Sequence, residues 1–160
     1  MRPPGDSDRC WDHAGSAIAQ AKLGNADKSR VECNKALEIF QSASPNDQRF
    51  LLPALTECAL ARVYLNDLIG AQELLNRVAA TEPQANLSKA RALAIRSFVN
   101  RKLGKTPLAE ADAQMALSLT PNYAFVRETI DASLTGSIDG TAAATITTAG
   151  APAFNPAISA

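Results

Sequence analysis

One histidine, three cysteines and a few closely spaced carboxylates are the residues of this chain whose types could do chemistry. His13 follows Cys10 by three residues, but a thiol–imidazole pair works only when both groups are held within hydrogen-bond reach. Cys10 falls near a helix end expected to fray, so His13 is expected to be an exposed or packing residue. Cys33 and Cys58 stand among apolar neighbours, and no CxxC pair exists that would suggest a zinc knuckle or a thioredoxin-type site. Buried thiols acting as small hydrophobes are therefore expected rather than a disulfide. The odd cysteine count fits a reducing compartment. Glu110 and Asp112 are two residues apart, which on a helix points them away from each other. The stretch 104–111 does not complete a phosphate-binding loop. These residues imply no catalytic set, no metal and no cofactor, and the expectation is a protein that is not an enzyme.

Binding chemistry is better represented. From Ser88 to Lys105 the chain carries Lys89, Arg91, Arg96, Arg101, Lys102 and Lys105 without an acid. Arg91 and Lys102 are eleven residues apart and share one helix face, whereas Lys89 and Arg96 point nearly opposite. The run is thus not one stripe. Over the whole chain 16 Lys plus Arg balance 16 Asp plus Glu, which argues against a nucleic-acid partner and names no other.

The elements that must position these groups are helices. The 160 residues suit one domain; alanine is abundant, and aromatic or β-branched strand runs are scarce. The fold class expected is all-α. Helical periodicity predicts segments over 11–23, 27–41, 51–65, 68–80, 87–103, 106–119 and 123–134, separated by Gly24-Asn25, Pro45-Asn46, Asn66-Asp67, Pro83, Gly104-Lys105 and Pro121. Pro53 is tolerated if it lies in a first turn and kinks the helix otherwise. Thr106 and Pro107 are read as N-cap and first helical residue. The first ten residues lack the apolar core of a signal peptide, and no stretch approaches a membrane span. As written the chain is expected in the cytoplasm, or in a secreted or periplasmic location if a leader was removed.

Superposing the three tight turns aligns small residues across three helix pairs: Ala17, Ala59 and Ser97, then Ser29, Ala71 and Ala109, then Ala36, Val78 and Ala116. Small residues at matched sites let two helices cross closely. The spacing A-x3-A-x2-A-L-x-L-x-P from Ala109 to Pro121 resembles the second helix of a tetratricopeptide repeat, and Ala71 to Pro83 resembles it more loosely. Leu55 and Leu93 suit the first site of the family's W-x2-L-G-x2-Y signature and His13 does not, while Gln20, Arg62 and Asn100 stand in place of its tyrosine. The turns recur after 42 and then 38 residues, against the family's usual 34, so longer first helices are expected in the second and third pairs.

The resemblance implies an α-solenoid of three antiparallel helix pairs with a C-terminal capping helix, covering residues 10–134 after a leader at 1–9. Tyr123, Phe125 and Val126 would cover the last pair. It also implies a concave groove that holds an extended protein or peptide segment. The groove-facing sites carried over are Trp11, Ile18 and Lys22; Thr56, Leu60 and Tyr64; and Arg91, Phe98, Arg101 and Lys102. Ala14 and Ile18 take sites that the family's chaperone-binding type fills with lysine and asparagine, so its carboxylate clamp is not expected. Residues 135–160 have one charge, Asp139, and too little bulky apolar surface to offset ordering entropy. A flexible tail is expected there, with Phe154 and Ile158 as anchors that could enter the chain's own groove or that of a neighbouring copy. The function expected is an adaptor, chaperone or assembly factor, a three-repeat secretion or pilus chaperone being one version. An RNA-binding solenoid and the regulatory or dimerisation part of a larger regulator are the alternatives.

Overall fold

The computed structural model describes residues 5–135, which form seven helices and no strand. They are α1 (Asp6–Lys22), α2 (Ala26–Ser42), α3 (Pro45–Tyr64), α4 (Leu68–Ala80), α5 (Asn86–Lys102), α6 (Thr106–Leu119) and α7 (Ala124–Thr135). The tail with Phe154 and Ile158 lies outside the described residues.

Three turns set the architecture, and they are the same turn three times. Gly24, Asn66 and Gly104 adopt positive φ of 80°, 59° and 77°. A left-handed residue just past a helix end lets the next amides reach back to otherwise orphaned carbonyls. Asn25, Asp67 and Lys105 accordingly donate to Gln20, Arg62 and Asn100 at 2.9, 2.8 and 2.8 Å. Leu23, Leu65 and Leu103 donate to Ala19, Ala61 and Val99 at 3.2, 3.2 and 3.0 Å. Glycine takes this backbone without strain, and asparagine is among the side chains that tolerate it best.

Between these turns the helices pack on chain neighbours and on the next odd-numbered helix. α1 packs on α2 and α3, α3 on α4 and α5, and α5 on α4, α6 and α7. Among the described residues α1 has no substantial packing against α5, α6 or α7. The small sites do what their size permits. Ser29 Oγ donates to the Ala17 carbonyl at 2.8 Å, and Ser97 Oγ donates to the Ala109 carbonyl at 2.8 Å. The same crossing is thus bonded from α2 in one pair and from α5 in another, and only small side chains let a hydroxyl reach the facing backbone.

The core draws on α1 to α7, with Ile18, Leu51, Leu52, Leu55, Leu60, Leu75, Ile95, Phe98 and Phe125 among its largest fully buried side chains. Phe125 and Val126 are fully buried and Tyr123 is partly buried against the same cluster. A Cβ at Gly70 would displace the ends of two side chains, the Asp67 carboxylate that caps α4 and Arg62, which donates to the Gly70 carbonyl at 3.0 Å.

Several boundaries differ from the sequence expectation. α1 starts at Asp6, inside the expected leader 1–9, because Gly5 stands at its N-cap with φ 87° and acids follow at Asp6 and Asp8 in the first turn. Pro45 begins α3 rather than breaking the chain, since Ser44 caps it by accepting from the Asp47 amide at 3.2 Å. Residues 46–50 are therefore helical, and Pro53 sits inside α3. Lys105, not Thr106, is the N-cap of α6, without a side-chain cap bond. The longer-first-helix expectation holds for α3, with 20 residues, but α5 has 17 like α1; the rest of the longer first period lies in α2, 17 residues against 13 in α4.

Candidate functional site

The three equivalent turns place residues 22, 64 and 102 at one repeated position, two residues before each left-handed residue. They are Lys22, Tyr64 and Lys102, at the C-terminal ends of α1, α3 and α5. Lys22 Nζ lies 5.8 Å from the centre of the Tyr64 ring, close enough for a cation–π contact. Lys22 is exposed; Tyr64, Arg101 and Lys102 are partly exposed. Among the described residues no carboxylate lies within ion-pair distance of Arg101 or Lys102, and Arg101 Nε is buried without an acceptor. Cations at helix C-termini also complement the helix dipole, which contributes to their favourable placement.

The six cations of 88–105 divide sharply. Lys89 pairs with Glu82. Arg96 binds Asp112 through two hydrogen bonds, Nε to Oδ2 at 2.8 Å and Nη2 to Oδ1 at 2.7 Å. Asn100 donates to the same carboxylate at 3.1 Å, Gln72 donates to Asn100 at 2.6 Å, and Lys105 donates to Gln72 at 3.2 Å. This network lines a recess of about 260 Å³ between α4, α5 and α6, and its members satisfy one another. It ties helices together rather than offering groups to a ligand. Arg101 and Lys102 alone of the six remain partly exposed without such a commitment.

The other expected site residues are placed differently. Ile18, Leu60 and Phe98 are fully enclosed in the core cluster, so they hold α1, α3 and α5 together and present no surface. Thr56 is buried and its Oγ1 donates back to the Leu52 carbonyl at 3.3 Å, a local bond that satisfies the hydroxyl. Trp11 is partly buried and packs against the core. Arg91 is 3% exposed, with its guanidinium 5.4 Å from the Phe125 ring centre. Its surroundings include Glu57, also 3% exposed, whose negative charge favours the cation while burial lowers the guanidinium pKa to about 9. Burial raises the Glu57 carboxyl to about 8, partly offset by the Arg91 cation.

Glu57 carries no sequence signal of its own beyond being the one acid in the apolar run of α3. His13 is engaged structurally as well: Nδ1 lies 2.6 Å from Glu32 Oε2, and Glu32 also accepts from Lys35 at 3.0 Å. The hydrogen bonds from His13 and Lys35 lower the Glu32 pKa. No cluster of three or more metal-ligating side chains occurs among the described residues. No helix there is long and apolar enough to cross a membrane.

The chain matches no protein-family model, no curated protein and no solved structure.

Proposed function

We propose that this chain is a non-enzymatic helical-repeat scaffold, similar in plan to tetratricopeptide proteins, that holds an extended acidic segment of a protein partner. In this reading α1–α2, α3–α4 and α5–α6 are antiparallel pairs stacked side by side, and α7 caps the stack. Support for antiparallel pairing comes from bonds that step away from the turn, at 17–29, 13–32 and 10–36 in the first pair. Support for open stacking comes from α1 packing on α3, α3 on α5 and α5 on α7, without substantial α1–α5 packing.

The observation that carries the functional part is the recurrence of Lys22, Tyr64 and Lys102 at one turn-defined position. A row of lysine, tyrosine and lysine, with Arg101 beside it, offers charge-assisted bonds to carboxylates and one flat ring for an apolar side chain. The binding surface is thus narrower than the ten-residue groove expected from the sequence. It lies at the C-terminal ends of the odd helices, because their mid-helix residues are consumed by packing.

An array of fifteen-residue peptides graded in acidity and apolar content tests this. Acidic peptides bearing one or two apolar residues should be enriched, and binding should weaken as salt is raised. The double change Lys22→Glu/Lys102→Glu should reduce that binding at least tenfold while leaving the melting temperature within a few degrees. Equal binding of acidic and basic peptides, or retention of affinity in the double variant, would contradict the proposal.

A further inference from the structure

The three cysteines lie on the three helices α1, α2 and α3, where the first helix pair joins the second. Cys10 of α1, Cys33 of α2 and Cys58 of α3 are free thiols, each 1% exposed or less. Cys10 Sγ is directed at the Ala36 carbonyl of α2, 3.4 Å away. Cys33 Sγ instead reaches across the α2–α3 joint to the Cys58 carbonyl, 3.9 Å away, which sets these two residues side by side. Cys33 and Cys58 thus adjoin across a joint in which α2 and α3 otherwise pack lightly.

We infer that Cys33 and Cys58 form a disulfide modification site, closed by a small peroxide-class oxidant, that staples α2 to α3.

The environments of the two thiols assign their parts. The Cys58 side chain hydrogen-bonds Cys33 and lowers its pKa, and the Arg62 cation acts in the same direction. Cys58 itself is pushed up by that bond and by burial, so it remains a thiol. The Cys33 thiolate attacks one oxygen of hydrogen peroxide; the O–O bond breaks, water leaves after taking up a proton, and Cys33 becomes a sulfenic acid. Cys58 sulfur then attacks the Cys33 sulfur, forming the S–S bond and breaking S–O. The hydroxide released takes the Cys58 proton and leaves as a second water. Two thiols lose two electrons in total and the peroxide gains them. Both thiols are 1% exposed or less, so local opening of the α2–α3 joint admits the oxidant, and only a small one reaches them.

The cross-link closes a loop of chain across the first joint of the stack, restricting the unfolded ensemble. It would fix α2 on α3 without touching Lys22, Tyr64 or Lys102. The inference is therefore independent of the peptide-binding proposal.

The test treats the folded, full chain with hydrogen peroxide and then titrates thiols in denaturant. Reactive thiols should fall from three to one and the intact mass should drop by about 2 Da, the mass of two hydrogens. Tryptic digestion without reductant should link peptide 31–35 to peptide 50–62, leaving peptide 10–22 unmodified. The melting temperature should rise by several degrees and return on reduction. Cys10→Ser should keep the cross-link, and Cys33→Ser should retain both remaining thiols. Survival of all three thiols, a link through Cys10, or mass gain from sulfinic acid at Cys33 would each overturn the inference. So would a lower melting temperature in the cross-linked chain.

Discussion

Glu57 shows what a single residue contributes when its surroundings are apolar. It sits in α3 between Thr56 and Cys58, 3% exposed, with Arg91 as the nearby compensating charge. Its carboxyl pKa is raised from 4.5 to about 8, chiefly by burial. A group whose folded pKa lies above its unfolded value stabilises fully below the unfolded pKa. That contribution is lost as pH rises through the folded value. Stability should therefore fall between about pH 4.5 and pH 8 on account of Glu57. Glu32 acts in the opposite sense and lower down: its pKa is depressed, so its contribution is lost as pH falls through the acid range. The difference between wild type and Glu57→Gln isolates the first effect. Urea unfolding at pH 5 and pH 8 should show a marked loss for wild type and a flatter profile for the glutamine variant. Parallel profiles would mean that Glu57 ionises freely.

At the scale of the helix, side-chain size at the crossings is the decisive property. Ala17 is fully buried and its carbonyl accepts from Ser29 Oγ at 2.8 Å, so α1 and α2 approach closely at that point. Ala17→Leu should cost about 1–3 kcal/mol through overpacking, because the helices must separate to admit it. Ser29→Ala keeps the size and removes only the bond, and should cost about 1 kcal/mol. Thermal unfolding of the two variants checks the ranking, which a loosely packed pair would not show. The crossings are legible in the sequence, because small residues at 17, 59 and 97 and again at 29, 71 and 109 fall in register once the turns are aligned. The turns are legible for the same reason: Gly24, Asn66 and Gly104 are residue types that tolerate left-handed backbone. Helix starts are less so. Pro45 reads as a break from its type alone, and only the Ser44 cap reveals that it opens α3.

Over the whole molecule, periodicity identifies which residues share a face but not how deeply neighbouring helices enclose that face. Ile18, Leu60 and Phe98 fall on the face that a groove would use, and α1, α3 and α5 bury them between one another. Arg91 reads as the mate of Lys102 on the same side of α5, yet it is enclosed beside Phe125 and near Glu57. The basic run loses Lys89, Arg96 and Lys105 to Glu82, Asp112 and Gln72, partners that approach from residues 16 or more positions away for the last two. Tertiary contacts of this kind leave no local sequence signal. What survives is one position repeated by equivalent turns and occupied by Lys22, Tyr64 and Lys102, and the proposed function rests on those residues receiving a carboxylate-bearing chain.

Amide and side-chain NMR shifts, recorded while the tightest-binding acidic peptide is titrated in, test this most directly. The expected result is a set of perturbations following Lys22, Tyr64, Arg101 and Lys102 across α1, α3 and α5. Perturbations confined to α2, α4 and α6, with that row unmoved, would contradict it.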